Sequence, residues 1–170
     1  MINYPNGKKN SNEKTINYAN RGMSLEDDLN DTNKYYLQND IAAVYKKPTP
    51  ITIVNVEYKS RSTAKITEAY FQVPSTTDYN GVYKGKYLDF EAKETKSKTS
   101  LVLSIFHPHQ LQHLERVVRY GGIGFTIIRF KEYDETYFVK AEVLLNKINS
   151  SDKKSIPYNW FKENGILIPY

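Results

Sequence analysis

Asp78, Glu91 and Lys93 are the residues whose types and spacing could do chemistry, because a hairpin between them would gather two carboxylates and an ammonium on one strand face. A tight turn at Lys84-Gly85, with the glycine supplying a positive φ, pairs Tyr83 with Lys86 and runs outward to Tyr79 with Phe90 and Asp78 with Glu91. Directly opposed carboxylates have Cβ atoms about 4.5–5.5 Å apart and repel unless a cation offsets them. Side chains at i and i+2 share a face, so Glu91 and Lys93 project together while Phe90 and Ala92 turn toward a core. Asn80-Gly81 is a competing turn signal that would set Asp78 against Tyr83. Lys84-Gly85 is preferred because it unites the functional groups.

Hard oxygen ligands from Asp78 and Glu91 favour Mg²⁺ over zinc, with Mn²⁺ able to substitute. Such a cation would activate water and polarise a phosphoryl oxygen, while Lys93 stabilises the developing charge or helps orient or deprotonate the water; the reaction is hydrolysis of a nucleic-acid phosphodiester. Thr76 shares the face of Asp78 and could add an oxygen, and Gln110 could offer an amide from the start of a helix. Asp89 lies on the face of Glu91 but ranks lower as a ligand, since its expected partner Asn80 brings no second carboxylate. His109 and His113 are spaced i, i+4, yet no third zinc ligand is suitably placed, so His107, His109 and His113 read as partly exposed helical histidines.

The elements that must position these residues alternate between strand and helix. Ser24 and Asp27 form a capping-box pattern ahead of a helix over 25–38, with Leu25, Leu29, Tyr36 and Leu37 on its apolar side. Glu26 in its first turn suits the helix dipole, with an outer metal-site role as the alternative. After the break at Lys46-Lys47-Pro48-Thr49-Pro50, β-branched strands over 51–58 and 64–71 flank Lys59-Ser60-Arg61-Ser62-Thr63. With Lys46, Lys47, Lys59, Arg61 and Lys65 nearby, this long hairpin reads as a DNA-contacting arm. Pro108, Leu111, Leu114, Val117, Val118 and Gly121 mark an amphipathic helix between strands 86–93 and 123–130, a βαβ unit. A strand around 137–139, a helix over 141–148 and a mixed tail follow, which gives an α/β mixed sheet with flanking helices.

At 170 residues the chain is one domain by length, and 15 tyrosines supply ample material for a core. A net charge of +5 suits a polyanionic partner, and the lack of cysteine excludes disulfides and thiolate zinc sites. No apolar run is long enough for a membrane span, so a cytoplasmic location without a membrane partner is expected. Residues 1–20, rich in Asn, Lys and Ser, read as a flexible arm, and 21–170 as a single nuclease domain that includes the projecting hairpin at about 51–72.

Asp78…Glu91-Ala92-Lys93 resembles the Asp…(Asp/Glu)-x-Lys nuclease pattern, and the whole chain is similar to the RecU family of Holliday junction resolvases. The residues that carry this are Tyr4-Pro5-Asn6-Gly7-Lys8, Asn20 to Asp27, Lys46 to Pro50, Ser75 to Gly81, Asp89 to Lys96 and His109-Gln110. The resemblance implies a restriction-endonuclease-like α/β fold and a homodimeric, Mg²⁺-dependent endonuclease that cuts paired strands of four-way junction DNA in recombination and repair, with recombination proteins as further partners. It implies that Asp78 and Glu91 bind metal with help from Thr76 and Gln110. It further implies that Lys93 stabilises the transition state and that Arg61, flanked by Lys59 and Lys65, sits on a stalk that enters the junction. The rival reading is a non-catalytic module that binds or bridges junction strands, and a duplex-cutting nuclease of the same fold is a second.

Overall fold

The computed structural model describes residues 24–58, 60–72 and 76–169. The expected arm at 1–20, the N-terminal motif residues up to Met23, and Lys59 therefore lie outside the described residues.

Helix α1 (Leu25–Gln38) starts at Ser24, whose hydroxyl accepts the Asp27 N–H at 3.2 Å, while the Asp27 carboxylate accepts the Ser24 N–H at 3.3 Å. This reciprocal cap satisfies two otherwise orphaned donors and fixes the start of the helix. Leu25 is buried and Leu29 packs behind it, but Tyr36 and Leu37, expected on the apolar side, are exposed. Only the first turns of α1 lie on the sheet core.

Strand β1 (Ala43–Lys46) follows, then β2 (Ile51–Glu57) and β3 (Lys65–Phe71), β4 (Tyr79–Tyr83), β5 (Lys86–Thr95) and the short β6 (Ser100–Val102). Helix α2 (Pro108–Arg119) leads to β7 (Ile123–Phe130) and β8 (Glu135–Lys140), and the chain closes with α3 (Ala141–Asn149), β9 (Ser155–Pro157), α4 (Tyr158–Asn164) and β10 (Ile166–Ile168). The central sheet has the order β1-β4-β5-β7-β8-β10. Its one parallel pair is β5 with β7, bridged by α2, and the remaining neighbours run antiparallel.

The register of β4 and β5 decides the site. Tyr83 pairs with Lys86 and Tyr79 with Phe90, so the turn falls at Lys84-Gly85. Both turn residues have positive φ, 48° and 75°, which matches the right-handed strand twist in a two-residue hairpin. Asn80-Gly81 lies inside β4 instead. Gly81 is needed there for close approach, since a Cβ would sit 2.2 Å from the Ala43 carbonyl oxygen.

Each sheet face has its own core. Leu25, Val44, Tyr79, Phe90 and Ile127 form one under α1, with rings stacked from Tyr79 to Phe90 (4.8 Å) and Phe90 to Phe125 (4.5 Å). Ile128, Phe130, Val139, Leu144 and Phe161 anchor the other. The β2–β3 hairpin is a separate two-stranded sheet, joined through a 3-10 turn at Arg61–Thr63, and every side chain of β3 is exposed.

Candidate metal centre

Asp78 stands one residue before β4 and is held from two sides. Its N–H donates to Glu91 Oε2 at 3.2 Å, and its carbonyl accepts the Lys47 N–H at 2.7 Å. Glu91, at the middle of β5, is wholly buried. Its Oε1 receives Lys93 Nζ at 2.6 Å and Gln110 Nε2 at 2.8 Å. The Gln110 side-chain oxygen in turn accepts the His107 N–H at 2.9 Å, closing the cap of α2. One amide thus ties the helix start to the carboxylate. Burial, and then the adjacent Asp78 carboxylate, push the Glu91 carboxyl up to about 8 against the opposing pull of Lys93.

The other expected site residues fall nearby or along the arm. Thr76 is half-buried, with its hydroxyl donating to the Thr77 carbonyl at 3.4 Å. Glu26 lines a groove of about 240 Å³ together with Ser24, Leu25, Asp78, Tyr79, Ala92 and Glu94, and forms an ion pair with Lys46. Lys65 opens β3 and is exposed, and Arg61 begins the 3-10 turn of the arm, although its side chain lies outside the described part.

Asp89, weighed above as a competing ligand, is wholly buried and already engaged. Its Oδ2 accepts from Lys47 Nζ at 2.8 Å and Tyr87 Oη at 2.6 Å and lies 3.0 Å from His113 Nε2, and its Oδ1 accepts from the Thr77 hydroxyl. Burial alone would raise the Asp89 carboxyl, but these hydrogen bonds, led by Lys47, hold it below the usual carboxylate range. First, Lys47 is not part of the basic arm, because its ammonium turns inward; second, His113, partly exposed on α2 as expected, is also the partner of a buried carboxylate. A sequence signal for the second existed: His113 follows Gln110 by three residues on α2 just as Asp89 precedes Glu91 by two on β5, so the two pairs face each other.

A sequence model of the family described as Recombination protein U matches residues 20–170. The chain belongs to that family. Its relatives include proteins named Holliday junction resolvase RecU from Bacillus cereus (strain B4264), 52% identical over 98% of this chain and 89% of the relative, and from Oceanobacillus iheyensis, 52% identical over 99% and 91%. Among solved structures, Archaeoglobus fulgidus Hjc, a Holliday junction resolvase from an archaeal hyperthermophile, covers 84% of this chain and 93% of its own at 13% identity, with a TM-score of 0.49, too loose a likeness to bear on the chemistry.

The donor set of this RecU-family chain suits a hard cation. Among the described residues no three His, Asp or Glu side chains converge to form an all-protein cage. Mg²⁺ does not require one, because it keeps several waters and binds through one or two carboxylates. Asp78 and Glu91 place two carboxyl groups side by side, with the Lys93 ammonium on Glu91 Oε1, and a divalent ion there would offset their repulsion.

Proposed function

We propose that the chain is a Mg²⁺-dependent endonuclease that resolves four-way (Holliday) DNA junctions by phosphodiester hydrolysis in recombination and repair. The observation that carries this reading is the convergence of Asp78, Lys93 and Gln110 on the buried Glu91 carboxylate in a chain 52% identical to relatives named as junction resolvases. Asp78 and Glu91 would hold the ion, with an oxygen of Thr76 beside them and Gln110 keeping Glu91 oriented. Bound Mg²⁺ supplies Lewis acidity toward the scissile phosphoryl group and acidifies water. Lys93, whose ammonium is held by Glu91 and whose side chain is 16% exposed, donates to a phosphate oxygen as charge builds in the transition state.

Paired incisions require two such centres, and the described residues build one, so a homodimer is the working assembly. Recombination proteins are natural further partners for an enzyme acting on their product. The β2–β3 arm, with Lys65 exposed on it and Arg61 at its tip, enters the junction and contacts phosphates.

The test is cleavage of a labelled four-way junction beside a linear duplex of the same sequence, in Mg²⁺ and in EDTA. Symmetric nicks confined to the junction, dependent on Mg²⁺, are expected. Asp78→Asn and Lys93→Ala should each lower cleavage by more than ~100-fold while junction binding persists. Equal cutting of linear duplex would point to a less selective nuclease; tight binding with no metal-dependent product would point to a non-catalytic junction-binding or strand-bridging module.

A further inference from the structure

The carboxylate of Asp89 gathers its donors from a specific set of places. Thr77 immediately precedes Asp78 in the chain. Lys47 comes from the segment after β1 and grips twice: its N–H donates to the Asp78 carbonyl at 2.7 Å, and its ammonium donates to both Thr77 Oγ1 at 3.0 Å and Asp89 Oδ2 at 2.8 Å. His113 comes from α2, one helical turn beyond Gln110. Asp89 itself is two residues from Glu91 on the same face of β5. Every segment that bears a residue of the candidate metal centre is therefore fastened to this one buried group.

We propose that Asp89, acting through Lys47, Thr77 and His113, is the positioning residue that fixes the Asp78 loop and the Gln110 helix relative to Glu91. The inference rests on the metal-centre reading above and adds the network that supports it. Of its donors, Thr77 and His113 come from the segments carrying Asp78 and Gln110, Lys47 also holds the Asp78 carbonyl, and Tyr87 lies on β5 with Glu91, so one carboxylate ties together the elements of the centre. Service as a second cation site is disfavoured by the same geometry, since the Lys47 ammonium already sits on Oδ2. Groups one layer behind metal ligands set ligand orientation, and their loss typically weakens metal binding by about 10–100-fold.

The full chain provides the test, with Mn²⁺ as the probe and no DNA present, read by calorimetry or electron paramagnetic resonance. His113→Leu and Thr77→Val should weaken Mn²⁺ binding by about tenfold or more. Both should raise the Mg²⁺ needed for half-maximal cleavage in proportion and leave junction binding in EDTA unchanged. His113→Gln, which keeps a donor within reach of Asp89, and Thr77→Ser should recover most of the loss. His113 is partly exposed, so His113→Leu carries the test should Thr77→Val fail to fold. Wild-type Mn²⁺ affinity in a folded His113→Leu variant, or a lowered melting temperature without any loss of Mn²⁺ affinity, overturns the proposal. Asp78→Asn separates the two levels of argument: if it abolishes Mn²⁺ binding while His113→Leu does not, positioning alone fails, and if it too leaves Mn²⁺ binding intact, the metal-centre reading fails and takes the positioning role with it.

Discussion

Glu91 combines complete burial with a carboxylate neighbour, and this makes the metal-free protein sensitive to pH. Its folded-state pKa, about 8, lies above the ordinary value of 4.5, so the folded form holds the proton more tightly than the unfolded chain. The linked stabilisation is complete below about pH 4.5 and is lost as pH climbs through 8, with a slope of at most about 1.4 kcal/mol per pH unit. Urea denaturation in EDTA between pH 6 and 9 should show this decline, a flatter profile for Glu91→Gln, and a larger stabilising effect of Mg²⁺ at pH 9 than at pH 6. An identical slope in Glu91→Gln would rule out Glu91 as the source. The carboxylate pair itself was legible in the sequence, because only one of two turn registers brings unlike functional groups together. The Asp89 network was only partly so: spacing pointed to its His113 side, but Lys47 sits in a basic run and nothing local says that its side chain turns inward.

That direction is decided one level up, by the pairing of β1 with β4, and a four-residue strand leaves too short a pattern to read. Strongly punctuated elements were readable for the opposite reason: the Ser24–Asp27 cap satisfies backbone donors, Pro108 pre-sets the first helical φ and Gly121 takes the positive φ of the stop, each by local chemistry that sequence alone reveals. The short strands β6, β9 and β10 depend on distant partners, and so the tail read only as mixed. The β1–β4 contact also yields an element-scale prediction. Gly81→Ala would drive a Cβ to within 2.2 Å of the Ala43 carbonyl and 2.7 Å of Val44 Cα, backbone atoms that cannot swing away. It should cost about 3 kcal/mol or more by denaturant midpoint. By shifting β1 it should also displace Lys47 and raise the Mg²⁺ requirement, whereas a change confined to the exposed Lys86 should do neither.

Across the whole molecule, a modest positive charge and an exposed arm imply that DNA affinity depends strongly on salt. Junction binding measured at several salt concentrations should fall linearly on logarithmic axes. Lys65→Ala should reduce that slope by about one while sparing the intrinsic cleavage rate, and an unchanged slope would remove Lys65 from the phosphate-contacting set. The arm was readable as a hairpin because its β-branched runs are long; that both its faces stay open was not, since burial is a property of the assembled sheet. The two-residue turn at Lys84-Gly85 reaches equally far. One residue added or removed there would slip the phase of β5 and exchange its two faces, sending Glu91 and Lys93 under α1 and Phe90 out among the ligands. Through the descent of such a chain this turn is free to be respelled, with glycine at position 84 an easy variant given its positive φ, but a change in its length would be inherited as the loss of the centre.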